Sequence, residues 1–148
     1  MAKFSFRLQS VLNLKIRLED QQRNAFSQAK RRLDEEEEKL RLLMLRLDEY
    51  EEEGRAMREK SLNVRDILEN GEAIVRVKEF IEDQKAQVRL YERKLEEERL
   101  KLVEMIKERK MYERLREKAF EEFMESEKHD EAVANDEHNS YVYGKKDA

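Results

Sequence analysis

The 148-residue chain has no proline, no cysteine and no tryptophan, and its only glycines are Gly54, Gly71 and Gly144. Globular chains carry roughly 5% Pro and about 7% Gly, so the residues that usually end helices and open turns are almost missing. Lack of cysteine excludes disulfides and thiolate metal sites, and fits a reducing compartment. No run approaches the ~18 apolar residues of a membrane span, and the first residues lack the continuous apolar stretch of a signal peptide. The expected location is the cytoplasm.

Chemistry-bearing patterns are equally scarce. His129 and His138 are the only histidines, nine apart, which is not the i,i+3 or i,i+4 spacing by which a helix offers two imidazoles to one metal. There is no Gly-rich phosphate loop and no recognisable nucleophilic triad. The acidic runs 34–38 and 96–98 are consecutive helical positions that point in different directions and cannot converge on one ion. The expectation is a non-enzyme with no cofactor, no metal and no small-molecule substrate.

What is present is charge and leucine. Charged residues make up 46% of the chain with a net charge of only -4, and Glu, Leu, Arg, Lys and Ala together supply 87 of the 148 residues. That share marks long helices and coiled coils. Leu33, Leu40, Leu47 and Gly54 recur at seven-residue spacing, with Leu43, Tyr50, Met57 and Val64 three residues on; Ile74, Ile81, Val88, Leu95 and Leu102 repeat the pattern, accompanied by Val77, Gln84, Tyr91, Met105, Tyr112 and Ala119. Glu98 and Arg109 interrupt the second seam, and Gln21 or Gln22 the approach to the first. The fold expected is all-α: a long antiparallel two-helix coiled-coil hairpin.

Asn70 followed by Gly71 is the strongest turn dipeptide, which places helix 1 over about 4–62, the connection over about 63–71, helix 2 over about 72–128 and a weakly structured tail over 129–148. A turn near residue 69 pairs positions whose numbers sum to about 137. It brings the acid-free stretch 1–18 toward the acidic stretch 119–131. A parallel homodimer would set like charges side by side there.

Two apolar sites exceed what one seam buries. Phe4, Phe6, Leu8, Val11, Leu12, Leu14, Ile16 and Leu18 cover too much of the helix circumference for one partner helix. They either lie under a folded-back tail carrying Val133, Tyr141 and Tyr143 or face another protein. Phe80, beside seam residue Ile81, either widens the seam or makes a second contact. Two basic groups, Arg23, Lys30, Arg31 and Arg32, and Lys107, Arg109, Lys110, Arg114, Arg116 and Lys118, leave open solvation, an acidic protein surface or nucleic acid.

The opening Phe-x-Phe-x-Leu-x-x-Val-Leu block at Phe4, Phe6, Leu8, Val11 and Leu12, the hairpin length, Phe80 with Ile81, Glu108 to Lys110 leading to Glu113 to Glu117, and Asp136 with Glu137 together resemble the FliJ family of the flagellar type III export apparatus. The resemblance covers nearly the whole chain. It implies a coiled coil similar to the stalk of the rotary ATP synthase γ subunit, bound in the hexameric export ATPase through Phe4, Phe6, Leu8, Val11, Leu12, Arg114, Arg116 and Phe123. It also implies a patch at Phe80 and Ile81 for the cytoplasmic domain of the export gate, and the escort of export chaperones. Such a protein serves flagellum biogenesis, and through it motility and chemotaxis, at the inner face of the cell membrane, without binding nucleic acid. Gln84 stands where family members usually carry an apolar residue. The alternatives are an unspecialised coiled-coil spacer and a basic-collar holder of chaperones or nucleic acid.

Overall fold

A computed structural model describes residues 2–60 and 63–147. Helix α1 spans Gln9–Lys60 and α2 spans Val64–Asp147, and the two pack against each other as an all-α hairpin. The first helix is entered through a turn in which the Gln9 amide donates to the Phe6 carbonyl at 3.1 Å, and it ends on Arg58 and Lys60, cations that suit the negative end of the helix dipole. The second helix is opened by Asn63, whose backbone carbonyl accepts from the Ile67 amide at 3.1 Å, with Asp66 in the first turn near the positive dipole end.

The chain divides into two compact units, Gln21–Leu102 and Met1–Asp20 with Val103–Ala148. In the first, Leu33, Val77, Ile81, Val88 and Leu102 form a buried strip, each 9% exposed or less. Leu40, Leu47, Ile74 and Leu95 are half-buried along it. Gln22 meets Glu98, Glu36 meets Gln84 and Tyr50 meets Asn70, and the residue numbers of each pair add up to 120. The helices are therefore antiparallel, in a register some seventeen lower than the 137 expected from a turn near residue 69.

The cause of the difference is Asn70. Both Asn70 and Gly71 lie within α2, and Asn70 is a buried seam residue whose side-chain amide donates to the Tyr50 carbonyl at 2.9 Å. Gly54 makes that approach possible: a Cβ there would sit 2.5 Å from Asn70 Oδ1. Helix 2 accordingly starts at Val64 rather than about 72. Ser61 and Leu62, at the expected end of helix 1, lie outside the described residues.

In the unit that holds both terminal segments, Leu12 and Glu19 are the buried side chains among the described residues. Lys15 bonds Glu108 at 2.9 Å, and Arg109 pairs with Glu19 and with Glu113. Arg116 Nε donates to Gln9 Oε1 at 2.9 Å. The seam interruptions thus hold partners: Arg109 lies across from Glu19, and Glu98 across from Gln22. The expected tail is also helical, since α2 continues to Asp147, although residues 128–145 are exposed throughout. Val133, Tyr141 and Tyr143 are 41%, 64% and 68% exposed, so the tail does not fold back over the N-terminal apolar block. Absence of proline and a supply of Ala, Glu and Lys let the helix run on by local propensity.

Candidate functional site

The N-terminal segment before α1 lies against α2. The Phe4 ring packs edge-on to Phe120 at 5.2 Å between centroids and tilted to Phe123 at 5.5 Å, the offset geometries that the ring quadrupole favours. The Arg116 guanidinium stands 5.4 Å from the Phe4 centroid, within cation–π range. Three separate contacts therefore hold one phenyl ring and fix the extended segment to the helix.

This anchoring leaves a mixed surface. Phe6 and Leu8 are half-buried and, with Leu115 and Ala119, line a shallow cavity of about 440 Å³ whose rim carries Arg7, Lys118 and Glu122. Val11 and Phe123 are half-buried, Leu12 is buried, and Arg114 and Arg116 are exposed. Leu12 is therefore a core residue. Outer apolar surface comes from Leu14, Ile16, Met111, Leu115, Phe120 and Met124, each between 37% and 49% exposed. Met111 and Met124 fall outside the heptad positions, so the seam pattern does not point to them. Their spacing from Leu115 and Phe120 by four was the available signal.

The cations of the two basic groups fall in different compact units. Arg32 pairs with Glu35 and Glu36 and stacks 4.9 Å from the Tyr91 centroid. The hydrogen bond that Lys15 Nζ donates to the Glu108 carboxylate raises the pKa of the ammonium above its ordinary value, opposed by some desolvation. Hydrogen bonding to Glu19, then to Glu113, does the same for Arg109. These groups stay charged while locked in pairs.

A second apolar site lies within the unit Gln21–Leu102. Phe80 is 57% exposed and Leu42 52% exposed, whereas Ile81, next to Phe80, is buried at 5%. Phe80 and Leu42 are opposite walls of a cavity of about 440 Å³ floored by Leu43 and Gln84, with Lys39, Arg46, Asp83 and Gln87 around it. Positions 39, 42, 43 and 46 on α1 face 80, 83, 84 and 87 on α2, the same i, i+3, i+4, i+7 ladder on both helices. A turn near residue 69 would put Leu42 and Phe80 out of register, so their pairing follows only from the true connection.

Among the described residues no group of His, Cys, Asp or Glu is arranged to hold a metal ion, and no helix is long and apolar enough to cross a membrane. Fold and surface together define an all-α helical hairpin whose apolar excess lies on outer faces. The model of the flagellar FliJ protein family matches residues 4–148, and the chain belongs to that family. It is a flagellar, export-related protein. No curated protein and no solved structure matches it.

Proposed function

We propose that this protein binds the hexameric flagellar export ATPase as a central stalk, stimulates its ATP hydrolysis, and links it to the export gate and export chaperones on the cytoplasmic face of the membrane. The observation that carries the reading is the outer surface of the paired-terminus unit, where Leu14, Ile16, Met111, Leu115, Phe120 and Met124 remain open beside Arg114 and Lys118. Surfaces of this kind, apolar anchors rimmed by charge, suit a protein partner. Phe80 and Leu42 supply a separate contact for the gate, and Ile81 supports Phe80 from beneath rather than touching the partner.

The test compares ATP hydrolysis by the purified flagellar export ATPase with and without this chain. Leu14→Asp with Ile16→Asp should leave helix content unchanged and weaken stimulation about tenfold or more, the loss expected when central apolar anchors are removed. Phe4→Ala with Leu8→Ala should do the same by releasing the N-terminal segment. Phe80→Ala with Leu42→Ala should abolish binding to the cytoplasmic domain of the gate and leave ATPase stimulation intact. Unchanged stimulation in both of the first two variants would remove the stalk reading.

A further inference from the structure

Three carboxamides cross the seam of the unit Gln21–Leu102, and their arrangement is regular. Gln22 Nε2 donates to the Glu98 carbonyl at 3.0 Å and to its carboxylate; Gln84 Nε2 donates to the Glu36 carbonyl at 2.9 Å and to its carboxylate; Asn70 Nδ2 donates to the Tyr50 carbonyl at 2.9 Å. On α1 the rungs stand at 22, 36 and 50, and on α2 at 70, 84 and 98. Each step is fourteen residues, or two heptads. The first two rungs are reciprocal, glutamine on α1 to glutamate on α2 and then the reverse. The sequence around them repeats in the same sense: Gln22, Arg23, Arg31, Arg32, Leu33, Asp34, Glu35 and Glu36 correspond to Gln84, Lys85, Arg93, Lys94, Leu95, Glu96, Glu97 and Glu98.

A heptad seam of Leu, Ile and Val is degenerate, because a slip of seven residues returns one apolar position to another. Such a slip, about 10 Å along the helix, is a way in which an antiparallel coiled coil can pass a signal. The three rungs oppose it. An amide bonded to a backbone carbonyl would find another carbonyl seven residues away, so that bond alone does not read the register. Glu36, Glu98 and Gly54 read it. A seven-residue slip sets Gln84 against Leu43 or Ala29 in place of Glu36, and Asn70 against Met57 or Leu43 in place of Tyr50, without the clearance that Gly54 provides.

We propose that the ladder is a register lock, so that this unit carries whatever it transmits as a body of fixed register and not by sliding of α1 past α2. For the stalk function proposed above, on which this part of the inference rests, ATPase state would then be conveyed by rotation or reseating of the coiled coil.

Cysteine pairs test the lock in the full chain. Ala25→Cys with Leu95→Cys has numbers summing to 120 and should crosslink within one chain. Ala25→Cys with Leu102→Cys or with Val88→Cys, one heptad either way, should crosslink less by about tenfold or more, the ratio that one hydrogen bond to a charged group supports. A second background removes the ladder while keeping the seam apolar and the chain foldable: Gln22→Leu, Glu36→Leu, Gln84→Leu, Glu98→Leu and Asn70→Ala together. There the slipped pairs should form alongside the in-register pair. Slipped crosslinks with the rungs intact, or a single register after their removal, overturn the lock. The oxidised Ala25→Cys, Leu95→Cys chain is then added to the export ATPase. Stimulation equal to that of its reduced form supports transmission at fixed register, and stimulation only after reduction overturns it. Absence of stimulation in both forms, with one register in the crosslinks, removes the stalk reading and leaves the lock standing.

Discussion

The two compact units use their apolar residues differently. In Gln21–Leu102, Leu33, Val77, Ile81, Val88 and Leu102 are buried along one line, and among the described residues the buried polar groups of that line are matched rungs. In the unit that holds both terminal segments, Leu12 is the buried apolar residue among those described; α1 and α2 meet there through ion pairs and the Arg116–Gln9 hydrogen bond, and the segment before α1 adds a ring cluster, while leucine, methionine and phenylalanine remain at the surface. Both units leave apolar side chains at the surface, Leu42, Val64, Leu68, Val75 and Phe80 among them in Gln21–Leu102, but the same hairpin architecture yields a self-satisfied seam in that unit and an unfinished one in the other. Exposed apolar surface gains most against a partner, which is why the proposed ATPase contact is placed on the unit with the unfinished seam and the proposed gate contact on the outer face of the other.

The largest effects should come from cutting the buried line. Ile81→Ala should lower global stability by about 3 kcal/mol, read as a shift of the urea midpoint for the chain as a whole. Leu12→Ala removes a comparable side chain, but its effect should be local: faster amide exchange in residues 9–20 and 103–125, with protection over 21–102 retained. Equal loss of protection in both units would break the comparison.

Gly54→Ala should cost about 2 kcal/mol, because the new Cβ falls 2.5 Å from Asn70 Oδ1 and must displace a buried, hydrogen-bonded amide. Thermal melting of the single variant and of Gly54→Ala with Asn70→Ala gives the coupling. Once the amide is gone, the added methyl should be tolerated. A full cost persisting in the double variant would mean that Gly54 is needed for something other than Asn70.

Much of the fold was legible because hydrophobic periodicity is local information. Leu33, Val88 and Leu102 sit at the spacing a helix requires, and they are buried. The connection was not legible, since Asn70 and Gly71 make a turn by local preference and the contact that overrides it comes from Tyr50, twenty residues away. The misplaced turn then shifted the register and hid the pairing of Leu42 with Phe80. Polar residues in a seam read as faults when their partners are unknown. Gln22, Gln84 and Asn70 become intelligible only as a set, through fourteen-residue steps that required the true register to align.

Acid should loosen the ladder before it disturbs the apolar line. Hydrogen bonding to Gln84 lowers the Glu36 carboxyl from its ordinary 4.5 against an opposing desolvation, and Gln22 lowers Glu98 likewise. A carboxyl whose folded pKa is depressed contributes stability that is present above 4.5 and lost as pH falls through its folded value. Stability measured by urea should therefore decline below pH 4.5, and Glu36→Gln with Glu98→Gln should flatten that decline. An unaltered acid profile in the double variant would show that the surface carboxylates carry it.

The smallest expected effect has the opposite sign and uses the same substitution as the glycine test above. Gly71 lies inside α2 with no positive φ, and a Cβ added there meets nothing within 4 Å. An interior helical glycine costs about 0.5–1 kcal/mol relative to alanine through the freedom of the unfolded chain. Gly71→Ala should therefore raise stability by that amount, whereas Gly54→Ala lowers it. The surface beside Gly71 is apolar, with Val64, Leu68 and Val75 each more than half exposed, so the methyl adds no clash and removes no bond. If Gly71→Ala raises the melting temperature without changing ATPase stimulation or gate binding, Gly71 serves neither contact. If it stabilises the isolated chain but impairs one of them, a close backbone approach to this stripe is part of that interaction, and the self-satisfied unit has a second outer contact besides Phe80.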